Sequence, residues 1–177
     1  MQIAMTQFDL MTDEKSRYVE DKADELFHFV LESRKQLASE AHTTLNWLFL
    51  VMIGSFGFLP KLLGMTSPVR WWLIIPLIVG ACYSGIIAGR LFCRAMRLPQ
   101  LLPAGNDPKN LLTDDVMEYD IAWMRAAETA SMQERIDAAR AYNVCVADAT
   151  NEARWCLVAL PFVEIVVGLI AYALIGV

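Results

Sequence analysis

Three stretches of the chain break an otherwise mixed pattern of polar and apolar positions. Residues 45–59 and 71–89 carry no charge, and residues 155–177 carry a single carboxylate, Glu164. The last two are long enough to cross a bilayer as helices, since a helix rises about 1.5 Å per residue and the hydrocarbon core is about 30 Å thick. The first is shorter. Flanking residues from Thr43 out to Leu63 complete it, with Lys61 reaching back to the headgroups along its methylene stem. Trp71 and Trp72 open the second run and Trp155 the third, where an aromatic belt is expected. The pattern therefore predicts three transmembrane helices.

The remaining polar stretches are helical in period. No Pro or Gly occurs between Thr12 and Thr44, and Thr12, Asp13 and Glu14 form a helix start with acidic groups at the positive end of the dipole. Val19, Ala23, Leu26, Val30, Ser33, Leu37 and Glu40 step by four and three, a mostly apolar heptad seam. Residues 98–110 concentrate proline with a Gly-Asn pair and predict an elbow that turns the chain at the membrane surface. From Thr113, with Asp114 and Asp115 behind it, Pro and Gly are absent until Pro161. A helix of roughly 40 residues is expected to run directly into the third span. Met117, Ile121 and Met124, then Met132, Ile136, Ala139 and Val146, are its apolar positions, with a one-residue slip between the sets.

The fold class this predicts is all-α, an integral membrane protein with three transmembrane helices and a cytoplasmic helical bundle formed by two long amphipathic arms. The expected divisions are a tail over 1–11, an arm over 12–44 and a transmembrane hairpin over 45–93 whose external loop lies near 60–70. An elbow over 94–112, a long cytoplasmic helix over 113–154 and a C-terminal span over 155–177 follow. Two arms are few for a self-contained core, so a homo-oligomer, with coiled-coil contacts between copies, is expected to bury the remainder.

Composition agrees with a bilayer partner. The 177 residues are 56% hydrophobic and 20% charged, with a mean hydropathy of +0.38. The net charge of -5 lacks the basic surplus that tracks phosphates, which argues against a nucleic-acid partner. Arg34 and Lys35 precede the first span, Arg90, Arg94 and Arg97 follow the second and Arg154 precedes the third, whereas the 60–70 connection holds only Lys61 and Arg70. By the positive-inside rule this predicts a multi-pass protein of the inner membrane, N-terminus cytoplasmic and C-terminus outside. Residues 1–40 contain no apolar run of signal-peptide type, so the first span is expected to act as the insertion signal. Ten Arg against five Lys, with abundant Ala, suggests a high-GC bacterial gene.

Glu164 is the sharpest candidate for chemistry. It lies nine residues into the third span, three after Pro161, where an ionisable group is expensive. Counting an equal depth along the other spans brings Gly54 and Ser55 of the first, and Tyr83 and Ser84 of the second, to its level, a candidate polar cluster or gate of Glu164, Ser55, Tyr83 and Ser84. The alternative role for Glu164 is a neutral carboxyl that hydrogen-bonds a neighbouring helix and specifies assembly. Ala81, Gly85 and Gly89 form a small stripe at four-residue spacing, with Gly80, Ser84 and Ala88 one residue earlier. With Gly54, Gly57 and Pro161 they are the candidate helix-packing positions, between copies or within the chain.

Other chemistry finds little support. His28, flanked by Asp24, Glu25 and Glu32, is a single ExxH without the second motif that a carboxylate-bridged metal pair needs, so no metal and no cofactor are expected. Cys82, Cys93, Cys145 and Cys156 show no CxxC spacing, and neither His lies in a span to serve as a base, so no catalytic residues and no enzyme activity are expected. The expectation is an oligomeric inner-membrane protein, a small pore-forming or membrane-perturbing effector controlled by its cytoplasmic helices, which receive a cytoplasmic protein or small-ligand partner. The competing class is a non-conducting membrane-anchored scaffold or accessory subunit that recruits a cytoplasmic partner.

Overall fold

The computed structural model describes residues 13–64, 69–95 and 120–175. They form three helices: α1, Asp13–Leu63; α2, Val69–Ala95; and α3, Ile121–Ile175. All three are long and apolar enough to cross a membrane. The expected tail, the elbow after α2 and the start proposed at Thr113, with Met117, lie outside the described residues.

The first arm and first span are one helix, as are the second arm and third span. Prolines 60, 76 and 161 all lie inside helices. Proline removes one N–H and crowds the carbonyl four residues back, a local defect that a membrane helix tolerates when neighbours re-satisfy the freed groups. Pro60 does not stop α1, which continues to Leu63, the residue to which the first span was extended. The helix closes one turn later, where the Gly64 N–H donates to the Pro60 carbonyl at 3.2 Å.

The chain divides into two compact units. Of the described residues, 13–35 and 120–143 form one, and 36–64, 69–95 and 144–175 the other. Among the described residues of the first unit, Ala23, Phe27 and Val30 of α1 pack with Met132, Ile136 and Ala139 of α3. Ile136 is completely buried. Asn143 donates from Nδ2 to the Val30 carbonyl at 3.0 Å, and the Arg34 guanidinium lies 4.9 Å from the centroid of the Tyr142 ring. Leu26, a position of the seam read from sequence, is half-buried and packs against this core, and Phe27 beside it is buried within it. Ser33, Arg34, Leu37 and Glu40 are half-buried and Ala41 is buried, so the inward face is broader than the heptad seam. Val19 and Ile121 are exposed.

In the second unit the core is made of small and branched side chains. Leu48 of α1, Ile74, Ala81, Ser84 and Leu91 of α2, and Ala153 and Leu160 of α3 are buried. Thr44, Ser55 and Thr150 are also buried, and each hydroxyl donates to the carbonyl four residues before it, at 2.9, 2.9 and 2.8 Å. This local bond removes the cost of placing a hydroxyl in an apolar layer. The opposite faces are apolar and exposed, with Phe49, Ile53 and Phe56 on α1 and Phe162, Val166 and Ile170 on α3. Such continuous exposed apolar surface fits contact with lipid rather than water.

Arginines that mark one end of the spans are matched by carboxylates. Arg90 and Arg94 both reach Glu152, at 3.0 and 3.1 Å, and Arg154 reaches Glu40 at 2.9 Å. These groups are partly exposed, so each pair contributes on the order of 0–1 kcal/mol. The first two link α2 to α3 and the third links α3 to α1.

Candidate functional site

The helical period of α3 decides where Glu164 points. Steps of four and three carry Met132, Ile136, Ala139, Asn143, Val146, Thr150, Ala153, Leu157, Leu160 and Glu164 along one seam, whose members are buried or half-buried. Glu164 therefore takes an inward position that Ile136 and Thr150 fill in earlier repeats. Its partner surface on α2 is Gly80. A Cβ built on Gly80 would lie 3.0 Å from Glu164 Cδ and 3.3 Å from Cγ, and closer still to Oε1. The absent side chain at Gly80 is the space in which the carboxyl rests, a use of glycine for close approach rather than for backbone freedom.

The other residues expected at this level are placed elsewhere. Ser55 spends its hydroxyl on the Val51 carbonyl. Tyr83 hydrogen-bonds the Cys156 side chain, which lies eight residues from Glu164 along α3. Ser84 is fully buried, and its hydroxyl has no hydrogen-bond partner. None of the three bonds Glu164, and among the described residues no donor reaches its carboxyl. Of the small residues, Gly80, Ala81, Ser84 and Ala88 are buried, and a Cβ built on Gly85 would lie 3.7 Å from the Met52 thioether. Gly54, Gly57 and Gly89 would meet nothing within 4 Å if given a Cβ. Among the described residues no group of three or more His, Cys, Asp or Glu side chains could hold a metal ion, and the four cysteines are free thiols.

Glu164 also lines a crevice of about 780 Å³ between the three helices of the second unit. That volume lies within the range of roughly 300–1,000 Å³ typical of small-molecule sites. Its walls are almost wholly apolar. Phe58 comes from α1, Trp72 and Pro76 from α2, and Pro161, Gly168 and Tyr172 from α3. Trp72 and Tyr172 meet edge to face, with centroids 5.9 Å apart and planes at 76°, so aromatic rings stand two turns of α3 away from the carboxyl. Gly168 keeps the wall thin, since a Cβ there would come within 3.4 Å of Pro76 Cγ.

The aromatic lining was not foreseen in this role. Trp72 reads from sequence as an interfacial anchor, and the signal that links it to Glu164 is the antiparallel register in which Trp72 meets Tyr172 and Gly80 meets Glu164. No family model, curated protein or solved structure matches this chain. The function has to be argued from the site alone.

Proposed function

We propose that this protein is a membrane-permeabilising effector of the bacterial inner membrane, in which several copies pass a cation or proton along Glu164 under the control of their cytoplasmic helices. The observation that carries the reading is the Glu164 carboxyl, inside an apolar span and turned inward, with no donor from the described residues. An ionisable group so placed is expensive and marks a functional site, an ion or proton path being one of the roles such groups serve. Ser84, buried without a partner one helical turn from Gly80, adds a second open polar group to α2.

The need for several copies follows from packing. The seam of the second unit is filled by Leu48, Ile74, Ser84 and Leu160, so one chain has no open bore along its axis. Assembly opens the path along the crevice that Glu164 lines in each chain, and Gly54, Gly57 and Gly89, which face open space, give smooth surfaces for the approach of copies. The soluble unit, built from the same α1 and α3 that enter the membrane, is the receiver of a cytoplasmic protein or small ligand. The proposed orientation places the N-terminus and the Arg90, Arg94 and Arg154 cluster on the cytoplasmic side.

The test is ion flux through liposomes containing purified protein, comparing wild type with Glu164→Gln at matched insertion and oligomer size. Flux that is lost or changes selectivity with Glu164→Gln supports the path. Absence of flux in both proteins moves the reading to a non-conducting scaffold.

A further inference from the structure

We infer that the crevice between the three membrane helices is a binding site for hydrophobic organic cations, with Glu164 as counter-charge and Trp72, Phe58 and Tyr172 as the aromatic enclosure. Glu164 is shared with the proposed conduction path, but the inference rests on occupancy of the crevice and stands or falls without flux.

The occupant is selected by two demands that few molecules meet together. The first is shape and polarity. A cavity of about 780 Å³ with apolar walls expels water and takes an apolar body of drug size. The second is charge. Glu164 stands on the crevice wall with its carboxyl against Gly80, and the described residues supply no donor to it. A lipid acyl chain would satisfy the walls and leave the carboxylate unpaired in hydrocarbon. The exposed surface of a second copy, Ile53 and Phe56 on α1 with Phe162, Ile165 and Val166 on α3, likewise brings no cation. A hydrophobic cation meets both demands at once. Its charge pairs with the carboxylate in a low-dielectric setting, and its body lies on aromatic faces that attract positive charge through the ring quadrupole.

The geometry also explains the small residues. Gly80 lets the carboxyl of the crevice-lining Glu164 approach α2 closely, and Gly168 leaves open the wall beside Pro76 that a larger side chain would fill.

The test uses an isosteric pair of probes. Equilibrium dialysis of tetraphenylphosphonium and of tetraphenylborate is measured against the full chain in phosphatidylcholine nanodiscs, with empty nanodiscs subtracted. Tetraphenylphosphonium should bind saturably and tetraphenylborate should not bind above the empty discs. Glu164→Gln, which keeps the size and the Gly80 contact, should weaken cation binding by roughly tenfold or more, the change that follows from losing a favourable charge pairing. Equal retention of both probes, no saturable uptake of the cation, or unchanged affinity in Glu164→Gln overturns the inference. The comparison of the two probes on wild type holds even if a substitution disturbs folding.

Discussion

Replacing Gly80 by alanine separates a carboxyl that rests on α2 by design from one that merely lies near it. Alanine is favoured over glycine in a helix by about 1 kcal/mol, because the glycine backbone loses more freedom on ordering. Against this, the new methyl group would sit 3.0 Å from Glu164 Cδ and nearer to Oε1. If the carboxyl alone moves, the cost is about 0.5–1.5 kcal/mol for a side chain pushed off its rotamer; if α2 and α3 must separate, about 1–3 kcal/mol. The single substitution therefore nets anywhere from slightly stabilising to about 2 kcal/mol destabilising, by the difference of these terms. A double-mutant cycle resolves it. In a Glu164→Ala background the obstruction is gone, and Gly80→Ala should stabilise by about 1 kcal/mol. The coupling between the two positions should then fall at about 0.5–3 kcal/mol, as for residues in contact. The measurement is denaturant unfolding in mixed micelles for the four proteins of the cycle, followed by far-UV circular dichroism. An effect of Gly80→Ala that is the same in both backgrounds within about 0.5 kcal/mol would refute the contact on which the site is built.

Three further outcomes are expected. Ile136→Ala, at a completely buried position, should cost about 2–5 kcal/mol of stability in thermal or urea unfolding, whereas the exposed Gln133→Ala should change it by no more than about 0.5 kcal/mol. The Glu25 carboxyl should titrate below the ordinary range in carbon-13 NMR, first because Lys22 hydrogen-bonds it and then because of the Lys22 charge, and Lys22→Ala should return it. The contribution of Glu25 is present above its unfolded pKa and lost as pH falls through the lower folded one. That of Lys22, whose amine is raised by the same hydrogen bond and then by the Glu25 charge, is present below its unfolded pKa and lost as pH rises through the folded one. Both are solvent-exposed, so the melting temperature should be insensitive to either. Finally, the exposed Cys145 should react with a membrane-impermeant maleimide in inside-out vesicles and not in right-side-out ones; the reverse pattern would overturn the proposed orientation.

The three candidate spans were legible because apolar runs of membrane length with at most one charge admit few other structures, and the helical arms because proline and glycine are missing from them. The inward face of the first arm was half legible. Ala23, Leu26, Val30 and Leu37 of the expected seam lie on it, but the face is broader than that seam. Nothing in the local period ranks Phe27 above Leu26; both join the core that holds Met132, Ile136 and Ala139, with Phe27 the more deeply buried. Depth counting placed Tyr83 and Ser84 level with Glu164, whereas the helices meet with Gly80 opposite it, about one turn away along α2. Counting from a membrane surface assumes that all spans cross that surface at the same residue. Their true offset is set by packing. The crevice was not legible at all, because it is defined by where atoms are missing.

The pairing of Arg90 and Arg94 with Glu152 has a consequence for how the chain is made. Positive charges close to a span orient it when it enters the membrane, and acidic residues contribute little to that step. Arg94 and Glu152 are 58 residues apart, so at about 5–20 residues per second the carboxylate emerges from the ribosome roughly 3–12 s after the guanidinium. During that interval the arginines stand alone and can hold α2 in its insertion direction. When α3 arrives, Glu152 pairs with them and adds a small contribution to the contact of α2 with α3. Under the proposed orientation the same residues act first as an address for the insertion machinery and then as a contact of the finished protein, with the order of translation separating the two roles.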